Sequence, residues 1–261
     1  MLVAGVDVGA RNISVVVFRD DKVISSVLLT LGGEGTAASR AALEKALEEA
    51  GLEPADLQAV VATGCGGESV TLAQRQSAEV VCQAKGAYFL FPSVRTVLNL
   101  GAESSRAIRV GDSGRVEAFA KNDKCAAGSG LFLETMAKVL EVPLEEMGEL
   151  SLQAEGLEEV SGICAVFAES EVISHIHRGV PKDRILAGLH KAVVGRIQEV
   201  LAKVGVRKDV VVTGGVARNR AIVKELADKI GQSIIVPPEP QLVGALGAAL
   251  IARDLAAKSR Q

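Results

Sequence analysis

Apolar positions along this chain gather into short β-rich runs that alternate with longer helical patterns. Leu2–Val8 is one such run, closing on Asp7-Val8-Gly9; residues 13–18 form a second, and Asp20-Asp21 marks a turn. Residues 96–101, 106–110 and 116–120 repeat the scheme, with a turn at Gly111-Asp112-Ser113-Gly114. Strand, glycine turn, strand, turn, strand is the opening of a β-meander. It occurs twice, about 95 residues apart, which predicts two related domains and not a short-period solenoid.

Helical patterns follow each opening. Residues 36–50 form an Ala/Leu/Glu run ending at Gly51, a natural C-cap. Residues 57–62 then read as a buried strand that stops at Thr63-Gly64. Residues 128–140 are helical, with Phe132, Met136, Val139 and Leu140 on one face, and 181–204 form a long amphipathic helix with a break near its start. A strand at 210–212, a helix over 219–230, a strand at 233–236, a proline loop and a last helix over 243–256 complete the chain. Strands alternating with helices predict an α/β fold. The expected domains are 1–94, 95–239 and a C-terminal helical segment, 240–261, packing back on the first. With no low-complexity linker, the two domains are expected to enclose one cleft.

Composition narrows the function. The chain has 261 residues, 48% hydrophobic and 23% charged, with a net charge of −3, enough for a sizeable core. The near-neutral balance argues against nucleic acid as a partner, because phosphate-backbone binding needs clustered Lys and Arg. Aromatics make up 3%, with no Trp and one Tyr, Tyr88, so a base-stacking platform is not expected. The start reads as a strand entering a turn, not as a signal peptide, and the apolar runs are too short for a membrane span. A cytoplasmic location with reduced thiols is expected.

Three strand-ending glycine segments recur: Asp7-Val8-Gly9-Ala10, Leu100-Gly101-Ala102-Glu103 and Thr213-Gly214-Gly215-Val216. A glycine turn lets backbone N–H groups approach an anion, and a following helix N-terminus adds a favourable dipole. Asp7, at a strand end, can hold a hydrated Mg²⁺ near phosphates. Taken singly, each segment is a common turn. The sequence contains neither a P-loop nor a first-strand dinucleotide fingerprint. Jointly, a phosphate turn in each of two duplicated domains and a third loop opening a late helix resemble the actin, sugar-kinase and heat-shock-chaperone (ASKHA) ATPase layout. That resemblance spans the chain and implies ATP in the cleft. Thr213 to Ala217 is similar to its adenosine motif.

The four cysteines divide. Cys65 lies in a glycine loop and Cys82 in an Ala/Val helix, where a small core residue is expected. Cys125 directly precedes a predicted helix beside Lys124, and Cys164 stands at the entrance to another; both positions favour thiolate. Two thiolates do not complete a four-sulfur site, but a twofold dimer supplies four. Spacing alone leaves two buried structural cysteines as the other reading.

The stretches Asn122 to Gly130, Val166 to Ser174, Gly5 to Gly9, Ala62 to Gly64, Thr213 to Ala217 and Gly244 to Ala249 resemble the BadF/BadG/BcrA/BcrD-type ATPases. These include activators of 2-hydroxyacyl-CoA dehydratases and ATPase subunits of benzoyl-CoA reductases. The resemblance implies one [4Fe–4S] cluster shared by two subunits, held here by Cys125 and Cys164 of each. It implies that Mg²⁺ and ATP drive a low-potential electron, taken from a donor such as ferredoxin, into a CoA-ester reductase or dehydratase component. It places nucleotide contacts at Asp7, Gly9, Ala10, Arg11 and Asn12 in the first turn, and at Gly101 and Ala102 in the second. Further contacts fall at Gly128 and Gly130, and at Gly214, Gly215, Val216 and Asn219. Catalytic positions fall on Glu103 and Ser104.

The second phosphate turn departs from the activators' usual D-x-G-G-Q-D: here it reads Asn99-Leu100-Gly101-Ala102-Glu103-Ser104. The first turn continues Ala10-Arg11-Asn12 in place of hydroxyls, and Cys65 replaces an aromatic. Arg11 either binds phosphate in their stead or is a solvated turn residue. These departures resemble the divergent ATPase subunit of benzoyl-CoA reductases. The expectation is therefore a reductase subunit in a heterodimer with a paralogous ATPase subunit; the alternatives are a homodimeric dehydratase activator and a nucleotide-holding pseudo-ATPase. A small-molecule kinase would need an aspartate base, for which only Asp123 is well placed. His175 and His177, two apart on a predicted helix, do not share a face; solvated or capping roles are expected for them and for His190.

Overall fold

A computed structural model of the chain describes residues 1–32, 34–122, 129–161 and 164–259. The elements in chain order begin with β1 (Leu2–Val8), β2 (Asn12–Arg19), β3 (Lys22–Thr30), α1 (Gly35–Glu49), β4 (Ala59–Thr63), β5 (Arg75–Gln76) and α2 (Glu79–Leu90). There follow β6 (Thr96–Leu100), β7 (Ser105–Val110), β8 (Val116–Asn122), α3 (Gly130–Leu140), α4 (Met147–Leu152), α5 (Ala165–His177) and α6 (Lys182–Ala202). The chain closes with β9 (Val210–Thr213), α7 (Arg220–Ile230), β10 (Ile234–Ile235) and α8 (Val243–Lys258). It divides into two compact units: Met1–Val94 with Val110–Glu117 and Pro238–Gln261, and Arg95–Arg109 with Ala118–Pro237.

The first unit holds a five-stranded sheet in the order β3-β2-β1-β4-β5. The alternation along each strand sorts side chains onto two faces. Ala4, Val6, Val8, Val15, Val17, Val60 and Ala62 face Leu43 and Leu47 of α1. Val3, Val16, Phe18, Ala59 and Val61 face α8 and Cys82 of α2. Because both faces are covered, β1 and β4 read as continuous apolar runs. Each fully buried aliphatic side chain is worth about 1.5–3 kcal/mol.

The second unit repeats the plan as β10-β9-β6-β7-β8. In both sheets the middle strand pairs antiparallel with the next strand and parallel with a strand that returns after a helical crossover. Its core gathers Leu98, Leu100, Val210 and Val212 with apolar residues of α3, α5, α6 and α7.

Element edges differ from the pattern-based expectation for local reasons. The long helix carries no internal break: α6 runs from Lys182, and Pro181 sits at its N-cap, where a missing N–H costs nothing. The chain reversal falls just before it, at Gly179 with φ +73°. The helix expected over 128–140 begins at Gly130, after Ser129; Gly128 lies outside the described residues. The strand expected over 233–236 shortens to Ile234–Ile235. The exposed edge strand β3 and the short helix α4 carry no clear apolar period.

Glycines set how closely α8 approaches the first sheet. A Cβ on Gly5 of β1 would lie 2.0 Å from the Ala245 carbonyl oxygen, and one on Gly86 of α2 2.2 Å from that of Val243. A Cβ on Gly247 of α8 would lie 1.8 Å from the Cys82 carbonyl. Backbone therefore packs on backbone on both sides of the helix. Gly5→Ala is expected to cost about 3 kcal/mol or more. Gly195→Ala, in α6 with open space around its Cα, should gain about 0.5–1 kcal/mol. Urea midpoints of the two variants check both signs.

Candidate functional site

The glycine turns occupy matching places in the two sheets. Asp7 of β1 stands opposite Ser14 in the antiparallel pair and Thr63 in the parallel one. Asn99 of β6 stands opposite Arg106 and Thr213 in the same two relations. Gly9 N–H donates to the Asn12 carbonyl at 2.9 Å, and Gly101 N–H to that of Ser104, also at 2.9 Å. Gly64, after β4, has φ +88°, and a Cβ there would lie 2.3 Å from the Val8 carbonyl oxygen. Gly214, after β9, has the same φ of +88° and the same 2.3 Å distance to the Leu100 oxygen. Only glycine takes both the dihedral and the contact without strain. The structure thus brings Gly9, Ala10, Arg11 and Asn12 into one hairpin turn, and Gly101, Ala102, Glu103 and Ser104 into its counterpart. In that counterpart Glu103 is exposed and Ser104 is buried.

The side chains at the two turns differ. Asp7 has its carboxylate lodged between two glycines: a Cβ on Gly64 would lie 2.5 Å from Oδ1, and one on Gly244 2.0 Å from Oδ2. Gly244 is the second residue of α8, so the acid meets the first turn of that helix. One carboxylate suits Mg²⁺, which keeps most of its waters and takes phosphate oxygens as its other ligands. Among the described residues no three His, Cys, Asp or Glu groups converge on a point. In the second unit the matching residue is an amide held by a cation: Arg106 Nη1 donates to Asn99 Oδ1 at 3.2 Å, and Asn99 Nδ2 donates to Thr213 Oγ1 at 3.3 Å. Asn99 is 3% exposed and Arg106 8%. The loss of the acid comes with a built-in guanidinium. Sequence reasoning used Gly244 only as part of a family-like stretch and Arg106 only as part of a reductase-like segment, and paired neither with Asp7 or Asn99; glycines spaced three apart in an Ala-rich helix, and an Arg inside an apolar strand, were the available signals.

The second turn is also tied to a helix. Gly130 N–H donates to the Gly101 carbonyl and Leu131 N–H to the Ala102 carbonyl, each at 2.9 Å. The N-terminus of α3 is therefore fastened to the turn. The third glycine loop leads into a single 3-10 turn, Gly215–Arg218, and then α7. Asn219 N-caps α7, its Oδ1 accepting from Ile222 N–H at 3.1 Å.

Of the three histidines expected in solvated or capping roles, two are buried. His177 is exposed. His175 is buried: its Nε2–H donates to the Glu159 carbonyl at 3.1 Å, and its Nδ1 accepts from Arg178. His190 is 2% exposed, with Nε2 at 3.0 Å from Asn219 Nδ2. Burial pulls its pKa down to about 4, so it is neutral near pH 7.

Among the cysteines, Cys82 is fully buried in α2 and burial pushes its thiol up to about 11. Cys65 is exposed, with Sγ 3.7 Å from the Val8 carbonyl. Cys164 is half-buried at the N-cap position of α5, and Val166 and Phe167, in the first turn of that helix, are 66% and 64% exposed. Cys125, Asp123 and Lys124 lie outside the described residues. One cysteine at a helix entrance can supply one ligand of a shared four-sulfur site and cannot form that site alone.

Known proteins share this geometry. The fold is that of the ASKHA ATPases. The chain is 44% identical to the "Activator of lactoyl-CoA dehydratase" of Anaerotignum propionicum, covering 99% of this chain and 100% of that one. A solved structure, the "Activator of the 2-Hydroxyisocaproyl-CoA Dehydratase from Clostridium difficile with bound ADPNP", superposes with a TM-score of 0.94 at 39% identity, covering 100% of this chain and 97% of the other. One of the benzoyl-CoA reductase subunits of Thauera aromatica is 36% identical over 95% of this chain and 92% of its own. Duplicated glycine turns, full-length relatives and a family model matching residues 4–252 agree: the chain belongs to the BadF/BadG/BcrA/BcrD ATPase family.

Proposed function

We propose that this chain is the ATPase that activates a 2-hydroxyacyl-CoA dehydratase, working as a homodimer. The observation that carries this reading is the pair of glycine turns in identical register, the second fastened to α3. In the first unit Asp7 would hold the water shell of Mg²⁺ and the Gly9 turn would offer backbone N–H groups to phosphate; in the second the Gly101 turn would do the same for phosphate and the Gly214–Arg218 loop would receive the adenosine end of ATP. Cys125 and Cys164 of each copy would hold a [4Fe–4S] cluster, which supplies one-electron chemistry at low potential. A shift of the Gly101–Ala102 turn is passed to α3 through its two N-terminal hydrogen bonds, and α3 packs on α5, whose N-cap position is Cys164. Nucleotide drives this only if it binds the two arrangements with different affinity. The electron comes from a donor such as ferredoxin and passes to the dehydratase component.

The reductase reading rests on the altered second turn and on the relative at 36% identity. The relative at 44% and the superposed solved structure are dehydratase activators, and they favour the activator. Arg106 beside Asn99 also weakens the inference from the turn, since the lost acid has a charged replacement. Steady ATP turnover by the purified chain as a homodimer supports the activator. Turnover only with a paralogous chain would return the reductase reading, and tight ATP binding without phosphate release would make the chain a pseudo-ATPase.

Asp7→Asn should lower Mg²⁺-dependent ATP hydrolysis about tenfold or more, and Gly244→Ala should act in the same direction by pushing the carboxylate aside. Phosphate release titrated against Mg²⁺ reads both. Anaerobic purification should give one [4Fe–4S] cluster per dimer by visible absorption and by iron and sulfide analysis. Cys164→Ala and Cys125→Ala should each abolish it, and an unchanged spectrum in either variant removes that residue from the ligand set.

A further inference from the structure

We propose that His190 is a positioning residue for the nucleotide: through Asn219 it holds the Gly214–Arg218 loop in the form that receives the adenosine end of ATP. The inference rests on the nucleotide reading above and adds a residue that touches no ligand.

Asn219 is where three helices meet. Its backbone N–H donates to the Val216 carbonyl at 3.0 Å, closing the 3-10 turn that follows Gly214. Its Oδ1 accepts from Ile222 N–H at 3.1 Å and so starts α7. On α4, Gly148 leaves room for it: a Cβ there would lie 3.0 Å from Asn219 Oδ1. On α6, His190 Nε2 lies 3.0 Å from Asn219 Nδ2.

The hydrogen bonds fix the chemistry. Because Oδ1 accepts the Ile222 N–H, the amide nitrogen must face His190. Because that nitrogen carries only donors, Nε2 must accept, and the imidazole proton must sit on Nδ1. Nδ1 is buried with no hydrogen-bond partner among the described residues. A leucine or phenylalanine would fill this part of the core without an orphaned donor. What they lack is an acceptor for Asn219. The fit at 219 is equally specific: Asp would cap α7 without a donor for a neutral imidazole, and Ser would put both roles on one oxygen of a shorter side chain, whereas Asn caps with Oδ1 and reaches His190 with Nδ2. The pair therefore links α6 to the downstream anchor of the glycine loop.

The test uses the full-length chain, with binding of a non-hydrolysable ATP analogue by calorimetry and steady-state ATP hydrolysis. His190→Phe should raise Kd and KM for nucleotide about tenfold, with kcat changed by less than about threefold. His190→Gln, which restores an acceptor, should return KM to within about threefold of the parent. Asn219→Ser should weaken binding alone, and adding His190→Phe to it should weaken it little further, as expected of two residues acting through one bond. Equal Kd for parent and His190→Phe would overturn the proposal, as would equal losses in the Phe and Gln variants or full additivity with Asn219→Ser. Should His190→Phe fail to fold, the Gln variant and Asn219→Ser decide between these outcomes. A parent chain that binds no ATP would instead remove the nucleotide reading itself.

Discussion

The carbonyl of Ala245 stands where a side chain on Gly5 would have to be, and the carbonyl of Cys82 stands where one on Gly247 would be. These two exclusions set the place of α8. Protein interiors are packed too densely to absorb an extra methyl against a backbone. The consequence runs two residues further along β1. With α8 held this close, its first turn meets the end of the strand, and Gly244 leaves the space that Asp7 Oδ2 occupies. The position of the acid proposed to serve a metal thus follows from a chain of glycines, none of which has any chemistry of its own.

The two units show what duplication preserves. Backbone geometry is repeated to the point that the Gly64 and Gly214 dihedrals and their contacts coincide. Side chains are not repeated: Asp7 and Ser14 in one sheet correspond to Asn99 and Arg106 in the other. One turn presents an acid, and the other an amide held by a guanidinium.

Much of the architecture is legible in the chain alone because its signals are physical. Fully buried strands such as β1 and β4 read as apolar runs, and strand-ending glycines mark both hairpin turns and the Gly214 loop. Cys82 is legible as core because it sits in an Ala/Val helix. What stays hidden depends on tertiary partners. Gly5 and Gly86 look like any small residue until a carbonyl is placed against them. His190 resembles a surface histidine until α7 is packed beside α6. The second turn shows the limit of a local motif: its missing acids point to a reductase subunit, whereas the relatives at 44% and 39% identity favour an activator, and Arg106 sits seven residues on from Asn99 in sequence and directly across the strand pair. A local motif cannot show that its loss has been compensated from the neighbouring strand.

The first unit closes its core with the end of the chain. Val3, Val16, Phe18, Ala59 and Val61 are covered by α8, which begins about 150 residues after α2 ends. During synthesis at about 5–20 residues per second that interval lasts roughly 8–30 s. Over that time this face of the sheet has α2 but not α8 to cover it, and every element of the second unit leaves the ribosome before α8 does. The second unit therefore has all its elements available before the first does, although the first begins the chain.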